Sequence, residues 1–182
     1  MLLSRSILSM TACLASMVGL TSAAAVNVRD AKPNKISASL DDIAGRTEAL
    51  GQTVSSWNGG LLGTLPILGK AATLYLTIRQ STRVVEMAKP LSQDETIALV
   101  GKVQTLDDKV TKTFKAIFDA APKFKRLFLT FAIRLNLLLD KDAVEGFIGN
   151  LLIKVPKDLR DLAKSLAKPI VDKFDKVIAE FS

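Results

Sequence analysis

The chain has no histidine and a single cysteine, Cys13. Without histidine, the commonest general base and the commonest metal ligand are both missing. Cys13 lies in the N-terminal apolar run, so its removal with that run would leave no disulfide and no thiol chemistry. Aromatic residues make up only 5 %, and eight of the ten are Phe, which points to a mostly aliphatic core. No Asn-x-Ser/Thr sequon occurs, and no G-x-S-x-G elbow, phosphate-binding glycine loop or Cys/His metal spacing is present. The paired acids Asp41-Asp42 and Asp107-Asp108 are adjacent in sequence, and neighbours one apart on a helix do not face each other. A non-enzymatic chain without cofactor or metal is therefore expected.

What is present is apolar. Hydrophobic residues make up 48 % of the 182, enough for one domain with a substantial core. The net charge is +7, and loss of the N-terminal leader would remove Arg5 alone and leave +6 (24 basic against 18 acidic residues). The lysines alternate with Asp and Glu, which describes solvated helix faces rather than a nucleic-acid-binding stripe.

Met1 to Ala25 has the layout of a secretory leader: Arg5, an apolar centre from Ile7 to Leu20, and an Ala23-Ala24-Ala25 site. Ser9, Thr11 and Ser16 interrupt the run and argue against a membrane span. Residues 26–35 form a polar lead-in, and 36–182 the helical domain. Ile36, Leu40, Ile43, Thr47, Leu50, Val54 and Trp57 recur at steps of four and three, one face of a helix. Thr47 is the one polar member; such a residue either bonds back to its own helix or faces a ligand. A second helix is expected from Thr64 to the Lys89-Pro90 stop, with Lys70, Thr73, Thr77 and Ser81 as a narrow polar stripe. Ser92-Gln93-Asp94-Glu95 is a capping box that opens a third helix, with Pro122 restarting the chain. The fourth segment, Lys123 to Lys154, is apolar nearly all round. Asn136 faces its apolar side and requires a partner, either a backbone carbonyl or a ligand head. A fifth helix follows Pro156, with Pro169 expected to kink it. The fold class is all-α, an antiparallel bundle of about five amphipathic helices.

The junction Ser56-Trp57-Asn58-Gly59-Gly60-Leu61-Leu62 stops one amphipathic helix and starts another, and Ala121-Pro122-Lys123-Phe124 and Lys154-Val155-Pro156 follow in order. In these motifs the chain resembles the fungal hydrophobic surface binding protein A and cell-wall mannoprotein family, from about Ile36 onward. The resemblance implies the same helical fold and two binding functions. One is adsorption to hydrophobic surfaces with recruitment of a secreted, cutinase-like esterase. The other is enclosure of a long-chain fatty acid between the helices. It implies an extracellular location, with or without cell-wall association. The last residues, Lys176 to Ser182, do not resemble the hydrophobic tail that anchors some relatives through a lipid.

On that basis the expected cavity lining is Leu68, Tyr75, Ile78, Phe114, Phe118, Phe131, Leu135 and Phe147, with Thr47 and Asn136 as polar contacts for a head group. Leu61 and Leu62, in a glycine-flanked loop, and Leu138, beside Leu137 on the wet stripe of the fourth helix, are expected to adsorb to surfaces. Phe131 and Asn136 are not.

Overall fold

The computed structural model describes residues 34–182; the leader and nearly all of the lead-in lie outside the described residues. Five α-helices follow one another: α1 Lys35–Ser55, α2 Thr64–Met87, α3 Gln93–Arg126, α4 Thr130–Lys154 and α5 Arg160–Glu180. Short 3-10 turns, Leu61–Gly63 and Lys157–Leu159, precede α2 and α5. No strand occurs among the described residues.

Local chemistry accounts for most boundaries. Asn34 caps α1 through its side chain, which accepts from the Ile36 amide. The Ser92 hydroxyl accepts from the Glu95 amide and the Glu95 carboxylate accepts from the Ser92 amide, completing the capping box of α3. One boundary departs from expectation. Pro122 does not restart the chain, because α3 runs through it to Arg126. A proline forfeits one helix hydrogen bond, but Phe124, two residues further on, is fully buried and stacks on Trp57 with ring centroids 4.5 Å apart. That packing holds the helix together across the proline. The break comes instead at Phe128, which adopts a left-handed φ of 57°.

The helices run up-down-up-down-up, with five principal seams: α1·α3, α3·α5, α5·α4, α4·α2 and α2·α1. These seams close a ring. Ion pairs stitch its parallel sides, with Lys102 on Asp41 at 2.8 Å and Lys109 on Glu48 at 2.5 Å between α1 and α3. Lys173 of α5 pairs with Asp107 of α3. The α1·α3 seam is especially close at Gly51. A Cβ there would lie 2.5 Å from Thr113 Oγ1 and 3.1 Å from Thr113 Cα. The Thr113 hydroxyl donates to the Thr47 carbonyl at 2.8 Å.

A ring of five cannot fill its own centre with backbone. For axes about 9 Å apart the centre lies about 8 Å from each axis, while a helix with side chains reaches about 5–6 Å. Side chains must fill the remaining bore of about 5 Å, or something else must. One end of the bore is plugged by Trp57, Phe124 and Phe181, all buried. Trp57 Nε1 donates to the Gly60 carbonyl at 2.8 Å, and Gly63 leaves no room for a Cβ, which would lie 2.6 Å from the indole. Gly59 supplies a φ of +96°. The Trp-Asn-Gly-Gly junction thus builds the closed end of the ring.

Candidate functional site

Behind the plug the bore opens into a cavity of about 100 Å³, lined by residues of all five helices. Along α4 and its C-cap residue the wall runs from Leu137 to Val155, about 27 Å at helical rise. Of thirty lining residues only Thr47, Thr96, Thr113 and Asp140 are polar, and no lysine or arginine is among them. The three threonines are satisfied by backbone carbonyls: Thr47 donates to Ile43, Thr96 to Ser92 and Thr113 to Thr47.

Asp140 differs. Only 5 % of the residue is exposed and its carboxyl has no hydrogen-bond or ion-pair partner among the described residues, but the carboxyl oxygens keep a little accessible surface, and the residue lines the cavity. Desolvation by burial raises its pKa from 3.8 to about 7. The next residue, Lys141, turns outward to Asp175 and Glu145 and so does not compensate it. Asp140 also borders a second cavity of about 30 Å³ between the first and the plug, shared with Leu68, Asn136, Leu50 and Leu137. That space admits about one water molecule and no acyl chain.

Several expected residues lie elsewhere. Ile78, Phe114, Phe147 and Thr47 line the cavity of the bore. Leu68 and Asn136 line the small one, and Asn136 Nδ2 donates to the Ala132 carbonyl at 2.8 Å. Tyr75 packs half-buried against the core and borders neither cavity. Phe118, Phe131 and Leu135 are not lining residues at all: they project to solvent, Phe131 by 75 %. On α4 the inward stripe is Ile133, Leu137, Asp140, Ala143 and Phe147, and Phe131 and Leu135 fall off it. On α3 the inward residues are Phe114 and Ile117, which turns Phe118 outward. On α4's supposed wet stripe, Leu137 is buried while Leu138 is exposed. On α2 the polar stripe is not wet either: Thr77 and Ser81 are buried, and the Thr77 hydroxyl donates to the Thr73 carbonyl.

Two features escape a reading based on apolar residues. Asp140 is one, although its spacing from Leu137 (three) and from Val144 (four) puts it on the inward stripe. The other is the wall formed by the first half of α5. Leu159, Leu162, Ala163, Leu166 and Ala167 line the cavity, yet no residue from Leu159 to Lys168 is buried.

Leu61, Leu62 and Leu65 are exposed at the head of α2, Leu62 by 82 %. Phe128, 93 % exposed, and Phe131 stand at the head of α4. α2 and α4 are ring neighbours that run in the same direction, so both sets lie at one end of the bundle. Leu61–Met87 is long and apolar enough to cross a membrane by composition alone, but it forms a wall of the ring.

Solved structures share this architecture. Ligand-binding domain 1 of the Penicillium marneffei MP1 protein, complexed with arachidonic acids, superposes with a TM-score of 0.79 at 19 % identity, covering 82 % of this chain and 97 % of that one. AFMP4P in complex with palmitic acid does so with a TM-score of 0.77 at 20 % identity, covering 81 % and 97 %. At these identities the likeness is one of fold. Among curated proteins, cell wall mannoprotein 1 of Aspergillus flavus is 27 % identical over 131 residues, 72 % of this chain and 47 % of the relative. That of Aspergillus fumigatus is 26 % identical over 161 residues, 88 % and 56 %. The chain thus spans about half the length of the curated relatives it matches. The family model described as hydrophobic surface binding protein A matches residues 33–152, well over half of the sequence and most of the helical ring, and the chain belongs to that family together with the cell-wall mannoproteins.

Proposed function

We propose that this protein is a non-enzymatic binder that encloses the acyl chain of a fatty acid or related lipid in the bore of its helical ring. The observation that carries this reading is the cavity itself: all five helices contribute, and the wall is apolar apart from three satisfied threonines and one carboxyl. Its 27 Å wall along α4 exceeds the roughly 15 Å that one lipid leaflet allots to an acyl chain. The fatty acids held by the MP1 domain and AFMP4P support the same class of ligand.

At about 100 Å³ the cavity is narrower than the roughly 300 Å³ or more of typical ligand sites, so filling requires widening. The first half of α5 is the wall that yields most easily. It contributes no buried residue before Ile170, and Pro169 removes the hydrogen bond that would tie it to the Ser165 carbonyl. The experiment is native mass spectrometry of the purified protein, followed by titration of the delipidated protein with palmitic and arachidonic acids. A protein that comes lipid-free and ignores both acids is not a carrier.

A second reading, adsorption to hydrophobic surfaces, is favoured by the exposed leucines and phenylalanines where α2 and α4 begin. Exposed apolar clusters of this kind on a monomer mark contact sites. Here Phe131 joins Leu61 and Leu62 on the adsorbing side, and Leu138 lies further along the same flank. Serine at Leu62, Phe128 and Phe131 together should reduce depletion of the protein by octyl beads and leave fatty-acid binding intact. Unchanged depletion would remove this end from consideration.

A further inference from the structure

The cavity contains one ionisable group, and its sign is the wrong one for an ionised fatty acid. A carboxylate drawn into the bore would meet no lysine, arginine or free hydroxyl; it would meet the carboxyl of Asp140. Asp140 stands on the inward stripe of α4. Leu50 of α1 and Ile117 of α3 line both cavities with it, Leu74 of α2 and Phe174 of α5 line the bore, and none of them is titratable. Asn136 shares the small cavity with it and spends one of its two amide hydrogens on the Ala132 carbonyl, and the threonine hydroxyls of the bore are committed to backbone carbonyls. A carboxyl so largely withdrawn from water and given no partner by the protein is costly to the fold, and the little surface its oxygens keep is where a ligand group could meet them. Resting on the proposed enclosure of an acyl chain, we propose that Asp140 is the head-group contact of the bore, and that the site selects an aliphatic chain whose head donates a hydrogen bond, a long-chain alcohol or an un-ionised fatty acid, over an ionised carboxylate.

The chemistry is that of any buried carboxyl. Ionised, Asp140 accepts from an alcohol or from a protonated acid; protonated, it both donates and accepts. Two ionised carboxylates facing each other in this medium repel strongly, as like charges sharing a site do. Burial already favours the neutral form of Asp140 up to about pH 7, so palmitic acid and Asp140 can share protons at pH 5 but not at pH 8. An alcohol has no charge to lose and is indifferent to this difference.

The test measures equilibrium binding of hexadecan-1-ol and palmitic acid to the delipidated full chain at pH 5 and pH 8, for the wild type and for Asp140→Asn. The asparagine amide can donate to a carboxylate and carries no charge. The wild type should bind the alcohol within about threefold at the two pH values, and palmitate at least tenfold more tightly at pH 5, the equivalent of about one pKa unit of coupling. Asp140→Asn should shrink that palmitate ratio severalfold, chiefly by strengthening binding at pH 8. Circular dichroism at both pH values establishes that the variant is folded, and Asp140→Ser, a smaller neutral replacement, serves if it is not. If the wild type binds both probes and the palmitate ratio is the same in the neutral variants, Asp140 is not the head-group contact and the enclosure reading stands. If the wild type binds neither probe at either pH, enclosure itself fails and the head-group assignment fails with it.

Discussion

Ala163→Leu should make the ligand-free protein more stable and abolish the proposed lipid binding. Ala163 lines the cavity from the first half of α5, packed against the core. Leucine adds three carbon atoms; at about 0.8 kcal/mol per buried methylene their burial contributes about 2 kcal/mol. The empty space sets a similar limit, because about 100 Å³ at roughly 24 cal/mol per Å³ corresponds to about 2 kcal/mol of unmade packing. For a chain of this size that stabilisation is about 4–8 °C in Tm. The same three carbons occupy the space that an acyl chain would enter, so palmitate binding should fall at least tenfold. Differential scanning calorimetry of delipidated protein and a palmitate titration check the two halves. A lower Tm with unchanged lipid binding would refute the reasoning, since it would mean that the wall is close-packed core and that the bore offers no room.

Stability should also depend on pH through Asp140. The folded carboxyl holds its proton to about pH 7, whereas the unfolded one releases it near 3.8, so stability is greatest below about pH 4 for this group and declines as pH rises to about 7, by an amount on the order of 4 kcal/mol. With no histidine in the chain, the side chain that ordinarily titrates in this range does not obscure the effect; urea unfolding at pH 5 and pH 8 should show it, and Asp140→Asn should flatten it. Trp57→Ala opens the plug over Phe124 and should cost about 3–5 kcal/mol in urea unfolding; a loss below 1 kcal/mol would deny the plug its role. Gly51→Ala gains about 1 kcal/mol of helix propensity but forces α1 and α3 apart at Thr113, at a cost of about 1–3 kcal/mol plus a strained hydrogen bond. The net effect should be destabilising, and a raised Tm would contradict it. Amino-terminal sequencing of protein secreted by its host should begin between Ala24 and Asn27, and an intracellular protein that retains Met1 would contradict the leader.

How much of this was legible in the sequence depends on the helix. α1 carries one apolar stripe, and its spacing identifies the inward residues directly: Ile36, Leu40, Ile43, Leu50 and Val54 are all buried, whereas on α3 Phe118, beside the stripe, is turned outward. The capping box and the Trp-Asn-Gly-Gly stop are local chemistry and sit where their residues place them. α2 and α4 are apolar nearly all round, so periodicity cannot say which leucine or phenylalanine faces in. That choice is made by the ring, through partners distant in sequence. Phe131 and Leu135 were indistinguishable from Ile133 and Leu137 on composition, and the ring turned the first pair outward. Asp140 was hidden for the opposite reason: a charged residue within a polar Asp-Lys-Asp run looks like surface, and only its register with Leu137 and Val144 betrays it.

The same all-round apolarity gives the protein two distinct faces. α2 and α4 are ring neighbours, so their inner stripes form adjoining walls of the bore while their outer leucines and phenylalanines share one flank. Between inside and outside lies the thickness of a helix, about 10 Å with its side chains. A chain in the bore therefore touches Leu74, Ile78, Leu137 and Phe147, and a surface meeting the flank touches Leu62, Phe128 and Phe131, with no side chain in common. Two binding events on opposite faces of the same helices need not compete. They become coupled only if widening of the bore shifts α2 or α4; on the proposed reading the first half of α5, which packs chiefly on α3 and α4, yields instead. Saturating the bore with palmitate should accordingly leave adsorption to octyl beads unchanged. Displacement of bound lipid on adsorption would show instead that the ring opens at α2 and α4, and that the bore lining itself meets the surface.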